Sequence, residues 1–165
     1  MPTYLILGNI FSFCAVVCIA ISAAQKNKKD FMYWQIGDTI FGIFATISLS
    51  AYAALIINSV DLIRNICSYK NTLTKRLTFI ILILGVIFGL YANNLAIIGI
   101  LPIVASAGYT ICVYLTKNDQ QMRWALVVTT FLWFIHNFYI QSYPSAASNF
   151  FLSFWTLFQI FKNRK

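Results

Sequence analysis

A chain of 165 residues that is 60% hydrophobic and 10% charged lacks the polar surface of a soluble domain. Its formal charge of +8 sits in gaps between apolar runs, so it reads as topology-setting and lipid-contacting charge and excludes a nucleic-acid partner. The four cysteines (Cys14, Cys18, Cys67 and Cys112) all lie within apolar runs, as small buried hydrophobes and not as a disulfide framework.

An apolar run of about 17–25 residues crosses a bilayer as a helix, because lipid leaves the backbone to satisfy its own hydrogen bonds. The first run predicts a helix over 4–24. No basic residue precedes it, whereas Lys26, Lys28 and Lys29 follow. That order is the reverse of a cleaved signal peptide and puts the N-terminus outside. Cys14 and Cys18 share a helix face at a metal-ligand spacing, but no His or acidic residue stands near them in sequence, so no metal site is expected.

The second helix, predicted over 32–49, carries Trp34 near its cytoplasmic end as an interfacial anchor. Asp38 lies about six residues, or roughly 9 Å, in from that side. A very short turn leads to the third helix, 52–70, which carries Asn58, Asp61 and Arg64. Asp61 and Arg64 share a face at i, i+3. With Asp38 they form a charge cluster that can gate the cytoplasmic side, or hold a coupling proton on Asp38. A plainer reading has Arg64 snorkelling to the interface with Asp61 as its counter-charge.

Lys70, Lys75 and Arg76 separate the third helix from the fourth, 76–92. The fourth carries Gly85 and Gly89, a small-residue spacing that lets another helix approach closely. Packing within the chain and a homodimer contact are its two uses. The fifth helix, 96–116, contains Pro102, which frees a backbone carbonyl and marks a hinge. Beyond Lys117 and Arg123, the sixth helix covers 122–140, with Trp124 as a second anchor and the patch Trp133, His136 and Asn137 in its outer part. His136 is the only histidine, so a His-rich metal site is excluded. It can bond a solute, titrate, or bond a neighbouring helix. The seventh helix, 143–162, carries Asn149 and ends at Lys162, Arg164 and Lys165.

All of the twelve basic residues except Arg64 therefore lie in alternate gaps. Seven crossings that start outside end inside, where the C-terminal cluster also places the chain. At a shift of 90, Met32 falls on Met122, Trp34 on Trp124, Phe41 on Phe131 and Phe44 on Phe134, while Ile10, Ala15 and Ile21 fall on Ile100, Ala105 and Ile111. One more residue of shift brings Asn58 onto Asn149. The predicted fold is an all-α integral membrane protein with one transmembrane domain. It has a three-helix repeat over 1–71, a linker helix over 72–95 and a second, parallel repeat over 96–165.

The stretch Ala54-Leu-Ile-Ile-Asn58-Ser-Val-Asp-Leu-Ile-Arg64-Asn65 with Lys70, the string Trp133-Phe-Ile-His136-Asn137-Phe and the end Gln159-Ile-Phe-Lys162 resemble the YgjV family of small bacterial inner-membrane proteins. The resemblance runs from the Lys26–Lys29 loop to the C-terminus and implies a multi-pass inner-membrane location. The three-one-three plan is similar to that of SWEET, PQ-loop and PnuC transporters. The chain has no Pro-Gln pair and keeps one helix-interior proline, Pro102, so a sugar is not the expected solute.

No nucleophile–base arrangement, phosphate loop or paired-carboxylate site is present, so neither catalysis nor a cofactor is expected. The expected function is transport of a small polar solute by rocking of the two repeats, with Asn58, Asn149, Trp133, His136 and Asn137 around the solute. Asp38, Asp61 and Arg64 serve as gate or coupling residues, and the lipid bilayer is the surrounding partner. The alternative is a non-transporting membrane adaptor or assembly protein that keeps the bundle, with lipid handling a third use.

Overall fold

The computed structural model describes residues 2–25, 28–115 and 119–162. Lys26, Lys117, Arg164 and Lys165 lie outside the described residues, as do the side chains of Lys28, Cys112, Met122, Gln159 and Lys162. The described chain is seven helices without strands: α1 Thr3–Ala24, α2 Lys28–Ser48, α3 Tyr52–Tyr69, α4 Lys75–Tyr91, α5 Ala96–Leu115, α6 Asp119–Tyr139 and α7 Tyr143–Lys162. The expected segments match these helices closely, except that α2 begins at Lys28 instead of 32 and α6 at Asp119 instead of 122. Apolar runs show where lipid begins, whereas a helix continues through the polar residues flanking it.

Helix ends follow local chemistry. Thr74 caps α4, its hydroxyl accepting from the Leu77 amide at 3.2 Å. Helices α2, α3 and α6 each end in a left-handed residue: Ser50 (φ 54°), Asn71 (φ 57°) and Gln141 (φ 60°). After α2, the Ala51 amide reaches back to the Thr46 carbonyl and the Ser50 amide to that of Ile47. After α6, the Ser142 amide bonds the Asn137 carbonyl and the Gln141 amide that of Phe138. These paired bonds satisfy the last free carbonyls of each helix without a glycine.

Helix α1 packs on α2 and α7, α2 on α3, α3 on α4 and α5, α4 on α5, α5 on α6, and α6 on α7. Among the described residues no other helix pair approaches within 8 Å between Cα atoms. Six helices thus close a ring in the order α1, α2, α3, α5, α6, α7, and α4 lies against α3 and α5. Gly85 and Gly89 face into this last contact. A Cβ on Gly89 would lie 3.0 Å from Ile103 Cγ1, and one on Gly85 would lie 3.3 Å from Val60 Cγ1. The small-residue face of α4 is therefore occupied within the chain.

The core is small and partly polar, and the surface is apolar. Ala51, which precedes α3, and Ala53, Ala54 and Ile57 of α3 are buried against Ile103 of α5 and Ile140 beyond α6, with Trp133 touching both groups. Helix α7 turns Phe150, Phe151, Phe154, Trp155, Phe158 and Phe161 outward and buries Ser153 and Thr156. Such a distribution suits lipid, where apolar groups gain nothing by leaving the surface and polar ones need partners. Among the described residues only Thr3–Ser22 of α1 is long and apolar enough to cross a membrane by composition alone. The other helices mix inward polar residues, such as Asp38, Asn58 and Arg64, into their apolar surface.

Candidate functional site

Asp38 on α2, Asp61 on α3 and Ser106 on α5 stand near the midpoints of their helices. Asp38 stands ten residues beyond the start of α2 at Lys28. Arg64 Nη1 pairs with Asp61 Oδ1 at 2.9 Å, and the Ser106 hydroxyl donates to the same oxygen at 3.1 Å. Arg64 Nη1 also donates to the Thr110 hydroxyl at 3.4 Å. The i, i+3 pair thus faces α5 and ties α3 to it. A cavity of about 20 Å³ adjoins the pair, with Thr78 and Gly85 of α4 on its far wall. That volume holds about one water.

On α2, the residue after Asp38 is also bonded to α3. The Thr39 hydroxyl donates to the Gln35 carbonyl of its own helix, and the Asn65 amide donates to the Thr39 oxygen at 3.2 Å. Asn65 is buried, and sequence reading gave it no role.

In the α6 patch, His136 is wholly buried and its Nδ1 lies 3.1 Å from the Ile98 carbonyl. That carbonyl stands one helical turn before Pro102, which has no N–H to offer it. A carbonyl only accepts, so Nδ1 carries the proton in this bond. His136 Nε2 is buried and has no hydrogen-bond partner among the described residues. The Trp133 ring meets the imidazole edge-on at 5.9 Å between centroids. α5 runs through Pro102 as one helix, with the imidazole supplying the missing donor.

The amides expected to bind solute are not gathered at one point. Asn58 of α3 lies against Gly42 of α2, where a Cβ would be 3.3 Å from its Nδ2. Asn149 of α7 accepts from the Ser153 hydroxyl through its main-chain carbonyl at 2.8 Å. Helices α3 and α7 do not approach within 8 Å between described Cα atoms. Asn58 and Asn149 are half-buried, and Asn137 is buried. Among the described residues none of the three side-chain amides has a hydrogen-bond partner.

Two further asparagines have definite roles that sequence reading missed. Asn9 of α1 donates to the Gln141 carbonyl at 2.9 Å and accepts from the Tyr143 amide at 2.9 Å. Asn94, before α5, donates to the Ser50 carbonyl at 2.7 Å and accepts from the Tyr52 amide at 3.2 Å. Each amide clamps the turn between two other helices, at the left-handed residue and the one two places on. The contact between α1 and α7 is polar inside as well: the buried Ser12 hydroxyl lies 2.7 Å from that of Ser142 and 2.6 Å from that of Ser145. A polar residue opposite each turn is the only signal a sequence offers for such clamps.

Among the described residues no group of three or more His, Cys, Asp or Glu could hold a metal ion. Cys14, Cys18 and Cys67 are free thiols.

A family model described as Imp-YgjV, bacterial inner membrane protein, matches residues 6–165. No curated protein and no solved structure matches the chain.

Proposed function

The chain belongs to the YgjV family of bacterial inner membrane proteins, as a multi-pass helical member, and from that premise we propose that it carries a small, polar, uncharged solute across the membrane. In this reading α1–α3 and α5–α7 are two parallel repeats, α4 is the linker that turns the second repeat round, and rocking about their contacts exposes the solute to alternate sides. The end bearing Lys29, Lys70, Lys75 and Arg76 faces the cytoplasm.

One observation carries the reading. Among the six helices of the ring, exchanging α1 with α5, α2 with α6 and α3 with α7 returns the same neighbours, α1 on α7 becoming α5 on α3, while α4 lies on the α3–α5 side alone. The hydrogen bonds of the turn after α2 recur at the turn after α6 with a uniform offset, Ala51 to Thr46 matching Ser142 to Asn137. Two equivalent seams joining two bundles suit rocking better than a continuous core does. Among the described residues the side-chain amides of Asn58, Asn137 and Asn149 have no hydrogen-bond partner, which suits an uncharged polar solute. Trp133 and His136 stand beside Asn137 on α6.

A thermal-stability screen of purified protein against polar metabolites tests this, since a ligand that binds only the folded state raises Tm by mass action. A dose-dependent shift for one chemical class, lost in Asn58→Leu, is the expected result. No shift at any concentration up to about 100 times a millimolar Kd removes the solute site.

A second reading, an inner-membrane adaptor or assembly protein, is favoured by the tight polar packing: Thr130 to Ser153 at 2.7 Å, Ser12 to Ser142, and a cavity of only about 20 Å³. That reading predicts no ligand shift and co-purification with a defined membrane partner.

A further inference from the structure

His136 serves α5 with one ring nitrogen and leaves the other over. Nδ1 donates to the Ile98 carbonyl, so Nε2 is the unprotonated nitrogen of a neutral ring and can only accept. It is buried and has no partner among the described residues. The next residue, Asn137, is only 7% exposed, and its side-chain amide has no partner there either. Trp133, one helical turn before both, meets the imidazole edge-on. The three side chains thus share one face of α6. Buried polar groups are paired in the great majority, so two open ones side by side need an explanation.

Packing of the bundle does not supply one. The 91-residue offset that carries Thr46 to Asn137 and Ala51 to Ser142 places Gly42, Ala45 and Thr46 of α2 where α6 has Trp133, His136 and Asn137. Those three are small, and the one polar side chain among them is satisfied within its helix, the Thr46 hydroxyl donating to the Gly42 carbonyl at 2.9 Å. The carbonyl before Pro102 accounts for Nδ1 alone, and an amide side chain could serve it as well. Among the described residues nothing accounts for Nε2 or for the Asn137 amide.

We propose that His136 Nε2 accepts a hydrogen bond from an O–H or N–H group of the transported solute, with the Asn137 amide as the second contact. This rests on the transporter reading and deepens it by naming what the solute must carry, a neutral hydrogen-bond donor. A carboxylate, an ester or an ether offers Nε2 nothing but lone pairs and is rejected. A metal ion is not the occupant, since among the described residues no group of three or more His, Cys, Asp or Glu could hold one. Trp133 also packs against the two buried groups to which α3 contributes. Parting the bundles therefore frees this face of α6, and closing them seals it. A trapped water has the same donor chemistry and is its other source.

The test uses the whole protein in lipid vesicles, treated with diethylpyrocarbonate and mapped by peptide mass spectrometry. The reagent acylates the unprotonated nitrogen of a neutral imidazole, and His136 is the only histidine in the chain. The probes are acetamide, uracil and erythritol, each set against its fully N- or O-methylated counterpart. The expected result is acylation of His136 in the folded protein, slowed about threefold by one of the donors at about twice its Kd and by none of the methylated compounds. A histidine that stays unmodified until the protein unfolds assigns Nε2 to a trapped water and overturns the proposal. Acylation indifferent to every donor, or slowed equally by a methylated compound, overturns it as well. Uptake of the same probes into the vesicles separates this site from the transporter reading. A donor that protects but is not carried keeps the site and removes transport, and one that is carried without protecting does the reverse.

Discussion

The imidazole of His136 does for α5 what the nitrogen of Pro102 cannot. It donates from Nδ1 to the Ile98 carbonyl at 3.1 Å, the oxygen a helical amide at position 102 would otherwise bond. Proline in a membrane helix is tolerated when a neighbouring helix satisfies the freed carbonyl. The bond therefore fastens α6 to α5 just before Pro102, and it fixes which imidazole nitrogen carries the proton.

That relationship predicts a specific coupling. His136→Ala should lower stability by about 1–3 kcal/mol, because it empties a buried site and orphans a carbonyl. Pro102→Ala restores an amide donor within α5, so it should recover about 1 kcal/mol of that loss in the double variant. Equilibrium unfolding in mixed micelles, run as a double-mutant cycle, measures the coupling. Strictly additive effects would mean that the carbonyl does not depend on the imidazole.

The reciprocal clamps at Asn9 and Asn94 predict matched losses. Each amide makes two bonds to the turn between two other helices, so Asn9→Ala and Asn94→Ala should each cost about 1–2 kcal/mol. In the transporter reading both changes also shift the population towards opening at the clamped end. Hydrogen exchange of the Tyr52 and Tyr143 amides reports this locally: each should speed up only in the variant that releases it.

Gly85 and Gly89 predict an effect confined to the monomer. A leucine at 89 meets Ile103 from a Cβ only 3.0 Å away and must push α4 off α3 and α5. Gly89→Leu should destabilise by about 1–3 kcal/mol. Light scattering should find the oligomeric state unchanged, since this helix face is turned inward.

Asn58→Leu separates solute binding from packing. The amide makes no hydrogen bond among the described residues and lies against Gly42, so a side chain of similar volume should change stability by less than about 1.5 kcal/mol. Ligand-induced stabilisation should disappear. A severe folding defect would assign Asn58 to the bundle itself.

The helices were legible because charge and apolarity are decided locally. Basic residues collect in alternate gaps, and lipid demands long runs between them. Helix ends were less legible: Ser50, Asn71 and Gln141 adopt the left-handed conformation that glycine usually signals, so no glycine marks these stops. The clamps were not legible at a fixed sequence shift, because Asn9 sits inside α1 whereas Asn94 precedes α5. Asn58 and Asn149 matched in sequence, but equivalence under a repeat does not imply proximity, and they stand on helices that do not touch. For His136 the sequence left bonding and titration both open. Its carbonyl partner depends on a proline in another helix, a relation that only packing reveals.

Alternating access is tested most directly by paired distances across the two ends of the bundle. Spin labels at exposed Tyr4 and Tyr143 span α1 and α7 at the clamped end, and labels at exposed Ile63 and Ile111 span α3 and α5 towards the basic end. With the native cysteines replaced and the protein in a bilayer, pulsed dipolar spectroscopy should give two populations for each pair. Conditions that lengthen one distance should shorten the other. One narrow distance for both pairs, unmoved by pH and by every ligand that raises Tm, would contradict rocking of the two bundles and leave a static membrane scaffold.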